Sequence, residues 1–202
     1  EVQYLLNTLK DLTFDNIYHE HYNYWSLTSF VNFFKNFNTT IFRAEKIKTH
    51  GGSLRIYVKK GKNVKIENNI KFLLKEEISF GIKKFKTYQE FGDKIYDIKK
   101  NVLINLRNLR KKNKIIGYGS PAKATTALNF YGISKEIDFI VEDNKLKHNK
   151  FLPGVKIPIK SKSQVTNKNY TVLVLAWNYF NEIKKANFEL SSTFKSIKDL
   201  EN

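Results

Sequence analysis

The chain contains no cysteine and no methionine. Without thiols it has neither a disulfide framework nor a thiolate metal site. With no methionine and Glu at position 1, it reads as a processed, trimmed or fragmentary chain. No apolar run approaches the ~20 residues needed to cross a bilayer, and no signal-peptide pattern opens the sequence. The longest such run, residues 172–177, is only strand-sized. These absences set the expectation of a cytoplasmic protein with no membrane partner. Arginine is scarce too: the 36 basic residues include only Arg43, Arg55, Arg107 and Arg110. Arginine is the side chain suited to bidentate phosphate recognition. A net charge of +17 carried almost wholly on lysine therefore reads as solvated surface, and suits a small anionic substrate better than nucleic acid. No internal repeat is present.

What is there supports a folded α/β chain. Hydrophobic residues make up 41% and aromatics 14% of 202 residues, enough to bury a core. Ser26 can cap a helix whose apolar face is Leu27, Phe30, Val31, Phe34 and Phe37. Residues 54–58 alternate like a strand, fed by a turn or bulge at Gly51-Gly52. Residues 59–69 are polar, contain Gly61, and read as a surface loop. A long helix over 83–112 follows from Tyr88, Phe91, Ile95, Ile98, Val102, Leu106 and Leu109, spaced by threes and fours. Beyond it, strands at 115–116, 137–141, 172–176 and 194–197 alternate with helices at 121–131 and 178–190. That alternation, with continuous apolar strands, predicts a mostly parallel Rossmann-like sheet flanked by helices. A boundary near residue 80 divides the chain into 1–80 and 81–202.

Chemistry concentrates in two places. Between Tyr18 and Tyr24 lie three phenols (with Tyr22), two imidazoles (His19, His21) and the Glu20 carboxylate. Imidazole handles protons near neutral pH, so an enzymatic reading starts here. The same residues also fit an aromatic loop with hydrogen-bonded histidines. A metal site needs further ligands, and His50 and His148 stand at no recognisable spacing from the pair. The second place is Gly117-Tyr118-Gly119-Ser120-Pro121-Ala122-Lys123, between a strand and a helix. Its glycines allow a tight turn, Ser120 suits a helix N-cap, Pro121 suits the first helical position, and Gly132 is placed to stop that helix. With Glu142-Asp143 about twenty residues on, the turn matches the dinucleotide fingerprint formally. A nicotinamide-dependent oxidoreductase is thus a live alternative, as is a plain β–α turn.

Three ordered stretches, Phe14-Asp15-Asn16-Ile17-Tyr18-His19-Glu20-His21, Thr49-His50-Gly51-Gly52-Ser53-Leu54-Arg55 and Gly117-Tyr118-Gly119-Ser120-Pro121-Ala122-Lys123, resemble successive signatures of the sugar C-methyltransferases. Leu175-Ala176-Trp177-Asn178 and the Phe151-to-Pro158 region extend the resemblance over most of the chain. It implies S-adenosylmethionine-dependent methylation of the carbon beside the keto group of a nucleotide-linked 4-keto-deoxysugar. It also implies an N-terminal zinc segment, a central cofactor domain and a C-terminal Rossmann-like domain. By this resemblance His21 is the base, Glu20 its partner or a sugar-orienting acceptor, and Tyr18 a donor to the developing oxyanion or to the sugar. His19, Tyr24, His50, Gly51, Gly52, Ser53, Arg55, Gly117, Tyr118, Gly119, Ser120, Lys123 and Asn178 are the substrate-binding candidates. The zinc cysteines and the cofactor glycine motif are missing, and Gln3 stands where a proline is usual. The chain thus resembles a C-terminal portion: residues 1–80 end the cofactor domain and residues 81–202 form the Rossmann-like domain. The methyl-donor site then lies mostly outside the chain, zinc belongs to a missing segment, and the other half can be a separate polypeptide. An inactive nucleotide-sugar-binding module is a further alternative.

Overall fold

The computed structural model describes residues 1–166 and 169–202, apart from the His50 side chain. The chain forms two compact units, one of residues 1–14 and 19–94 and one of residues 15–18 and 95–202.

The first unit opens with strand β1 (Val2–Gln3) and helix α1 (Leu5–Lys10), followed by α2 (Leu27–Phe34), β2 (Thr39–Ile47), β3 (Ser53–Lys60) and α3 (Asn68–Phe80). Its sheet is antiparallel, ordered β1-β3-β2. Ser26 caps α2 as its sequence position implies. Its hydroxyl accepts from the Ser29 amide at 3.0 Å, and its own amide donates to the Ser29 hydroxyl at 2.9 Å. Leu27 and Phe30 are buried, whereas Phe37 lies past the helix end and is exposed. Trp25 stacks on Phe30 with centroids 4.4 Å apart, a geometry that adds to the plain area buried.

Helix α3 was not anticipated: the loop expected over 59–69 ends at Glu67, and the helix runs to Phe80. Its buried Glu77 carboxylate accepts from the Leu27 amide at 2.6 Å, the Thr28 amide at 2.8 Å, the Thr28 hydroxyl at 2.5 Å and the Tyr4 hydroxyl at 2.8 Å. A carboxylate at the amino end of α2 satisfies the free helix amides and faces the positive end of its dipole. Burial and the adjacent Glu77 charge push the Tyr4 phenol well above its ordinary value.

The long helix α4 (Phe85–Lys112) passes from the first unit into the second and buries Ile95, Ile98, Val102 and Leu106 along the expected stripe. In the second unit β4 (Lys114–Tyr118), α5 (Ala122–Tyr131), β5 (Ile140–Val141), β6 (Ile159–Lys160), β7 (Tyr170–Val174), α6 (Phe180–Ala186) and β8 (Thr193–Ser196) follow in order. The five strands form one parallel sheet, β6-β5-β4-β7-β8. In order of appearance that is three-two-one-four-five, a Rossmann-like arrangement. The Rossmann-like α/β expectation holds, with two corrections of extent. The strand expected over 137–141 is reduced to β5, and the helix expected over 178–190 to α6 with single 3-10 turns on either side. Gly132 ends α5 in the left-handed region at φ +74°.

Candidate functional site

In a doubly wound sheet the ligand crevice lies at the carboxyl ends of the strands where the winding reverses. Here that point lies between β4 and β7, so the loops after Tyr118 and after Val174 line it. Gly119 turns the chain at φ +84°, and a Cβ there would stand 3.1 Å from the Ala176 methyl. Gly117 lies within β4 and serves packing: a Cβ would come within 3.0 Å of both Ile140 and Leu175.

Ser120 does not cap α5; Pro121 holds the N-cap position, without a side-chain bond. The Ser120 amide and hydroxyl instead donate to one Glu142 carboxylate oxygen, at 2.9 and 2.5 Å. The other oxygen accepts from the Asn144 amide at 3.1 Å, and Lys147 Nζ lies 3.5 Å from the carboxylate. Burial pushes the Glu142 pKa up, but these hydrogen bonds and the lysine charge outweigh it, leaving the carboxyl below its usual range. Tyr118, expected to touch substrate, is buried with its hydroxyl 2.8 Å from Asp143, and burial together with that carboxylate raises its pKa. Both acids that complete the dinucleotide fingerprint are therefore engaged within the chain.

Lys123, on the first turn of α5, approaches Trp177 with Nζ 5.1 Å from the ring centroid. Lys198 approaches the same ring at 5.3 Å. The Trp177 indole donates to Asp15 Oδ2 at 2.7 Å. Burial lowers the Lys123 pKa, Lys198 lowers it further, and Asp15 opposes both. Asn178 is exposed beside Trp177. This crevice thus combines two cations, an aromatic face and a buried acid. Glu142, Asp15 and Trp177 stood in motifs already noted, without these roles. Lys198 carried no sequence signal, because only folding brings the 3-10 turn after the last strand beside Trp177.

In the first unit, Glu20 and His21 line an open cleft of about 500 Å³ with Glu1, Val2, Gln3, Tyr22, Asn23, Trp25 and Ser53. The Glu20 side chain is exposed, and His19 Nε2 lies 3.9 Å from it. Gln3 Nε2 donates to the Gly52 carbonyl at 3.1 Å, and Gly51 ends a 3-10 turn ahead of β3. Arg55 pairs with Glu1 at 2.7 Å, and Thr49 donates to the same carboxylate at 2.6 Å. The Thr49 bond, then Arg55, hold the Glu1 carboxyl below its usual range. The His50 side chain lies outside the described residues. Tyr24 is half-buried ahead of α2. Tyr18 is half-buried and belongs to the segment 15–18 of the second unit.

The C-methyltransferase C-terminal domain family matches residues 48–193. C-methyltransferase NovU of Streptomyces niveus is 34% identical over 188 residues, covering 91% of this chain and 44% of that protein. The chain belongs to the C-methyltransferase C-terminal domain family. It spans less than half the length of this relative. Among the described residues no group of three or more His, Asp or Glu side chains is placed to hold a metal ion, and no helix is long and apolar enough to cross a membrane. Nor do the described residues fit S-adenosylmethionine. The first unit's sheet is antiparallel, with no parallel strand leading through a glycine turn into a helix. The second unit's glycine turn has its Ser120 amide taken by Glu142.

Proposed function

We propose that this chain is the acceptor-binding, base-bearing portion of a C-methyltransferase that acts on a nucleotide-linked 4-keto-deoxysugar in the cytoplasm. The methyl donor, S-adenosylmethionine, binds outside these residues, in a preceding portion of the same protein or a separate polypeptide. Family membership carries the reading. The observation that supports it at the residue level is that exposed Glu20 and half-buried His21 line one open cleft.

The chemistry asked of this chain is removal of a proton from the carbon beside a ketone. The C–H electron pair passes into the enolate, and the proton passes to the base. An imidazole titrates in the right range, and His21 takes that role. Glu20 orients it or accepts from the sugar, and Tyr18 donates to the enolate oxygen or to the sugar. Stabilising that oxygen is where most of the barrier is lowered. Taken by itself, the second unit's crevice suits an anionic nucleotide group. Lys123 and Lys198 supply positive charge beside the first turn of α5, where backbone amides favour an anion. Trp177 and Asn178 offer an aromatic face and an amide to the rest of the nucleotide.

The dinucleotide alternative is disfavoured by Glu142. Its carboxylate is held by the Ser120 amide and hydroxyl and is not free to bind ribose. The test of the proposal is His21→Asn in the complete methyltransferase. Loss of C-methylation by about 10²-fold or more, with sugar-nucleotide binding retained, is the expected result. Undiminished turnover removes His21 as the base.

A further inference from the structure

The stretch beginning at Phe14 divides sharply by burial. Phe14, Asp15 and Asn16 form a single 3-10 turn and are exposed by only 5%, 3% and 0%, whereas Ile17 is 50% exposed. Burying a carboxylate costs several kcal/mol unless partners compensate. A loop that needed only to be packed would do better with an apolar side chain. Asp15 is nevertheless buried, and its partners come from far along the chain. Oδ2 accepts the indole N–H of Trp177 at 2.7 Å, across 162 positions of sequence. Oδ1 is buried and has no hydrogen-bond partner among the described residues. Its charge acts on the ammonium of Lys123, which lies against the same indole ring. Three residues beyond Asp15, the Tyr18 amide donates to the Asn16 carbonyl at 3.1 Å, so the turn and Tyr18 are held together.

We infer that Asp15 is a positioning residue: its buried carboxylate clamps the segment 15–18, and with it Tyr18, to the carboxyl end of the Rossmann-like sheet through Trp177, and sets a negative charge on the same indole that Lys123 covers. The clamp explains why an acid sits here although it does not reach solvent. An amide would keep an acceptor for the indole but not the charge that acts on Lys123. The role of Tyr18 rests on the methyltransferase reading; the clamp itself does not.

The test uses this chain with the near-isosteric Asp15→Asn and with Trp177→Phe, which removes the indole donor. Amide hydrogen exchange is read across segment 14–18 and, separately, across β4 and β7. The Lys123 ammonium is titrated by NMR, and binding of a nucleoside-diphosphate sugar is measured on the same samples. Each variant is expected to speed exchange at 16–18 by about tenfold with β4 and β7 unchanged. Asp15→Asn is also expected to lower the Lys123 midpoint. Exchange that rises equally through the whole sheet, or an unmoved Lys123 midpoint in Asp15→Asn, overturns the proposal. A chain that binds no sugar nucleotide yet shows the local release keeps the clamp and loses the methyltransferase reading.

Discussion

At neutral pH the Glu142 carboxylate accepts the Ser120 amide and hydroxyl and the Asn144 amide. Its folded-state pKa lies below the ordinary carboxylate value of 4.5, and its side chain is only 13% exposed. A group with a depressed folded pKa contributes stability above its unfolded value and loses it as pH falls through the folded one. Glu142→Gln is therefore expected to cost about 1.5–3 kcal/mol at pH 7, with the difference shrinking below pH ~4. Denaturant unfolding at the two pH values checks this. Lys123 has the opposite sign. Its pKa is lowered mainly by burial, so its charged form is disfavoured by folding, and the penalty is relieved only as pH rises through the folded pKa toward the ordinary value. Lys123→Met should raise the thermal midpoint at pH 7 while weakening sugar-nucleotide binding. A variant that loses both stability and affinity would show that Lys123 is structural.

Helix ends and turns show where sequence reading succeeds at the scale of elements and where it stops. Helix α4 was legible because its apolar residues recur by threes and fours over about six turns. Gly132 was legible as a stop because its left-handed φ suits glycine. No atom lies within 4 Å of the position a Cβ would take there. Gly132→Ala should thus cost about 1–2 kcal/mol from backbone strain alone, measurable by urea unfolding. Helix α3 was not legible. Glu67 caps it without a side-chain bond, only Ile70 and Glu77 are fully buried, and Phe72 and Ile78 point outward at 71% and 66% exposure. The partners of Glu77 lie 49 to 73 residues away, and no local pattern announces them. Glu77→Ala leaves the α2 amides and the Tyr4 hydroxyl without their acceptor. Stranding a buried neutral donor costs about 1–3 kcal/mol, so the variant is expected to destabilise the first unit by at least that much, seen as loss of protection in α2 by hydrogen exchange. The misplacement of Ser120 as an N-cap has a similar origin: an acid 22 residues downstream outcompetes the helix for its hydroxyl.

For the whole molecule, the parallel order β6-β5-β4-β7-β8 places the glycine turn and the Trp177 loop at one crevice, and the sequence carried both halves of that arrangement as separate motifs. The antiparallel unit carries Glu20 and His21 on its own cleft. In the proposed function the chain supplies the acceptor-binding and proton-handling groups, and its described residues do not fit the methyl donor. Titration calorimetry of this chain with a nucleoside-diphosphate 4-keto-deoxysugar, with S-adenosylmethionine and with NADH tests that account most directly. Saturable binding of the sugar nucleotide, weakened in Lys123→Met, with no heat from S-adenosylmethionine or NADH, is the predicted result. Binding of NADH with none of the sugar nucleotide would contradict it.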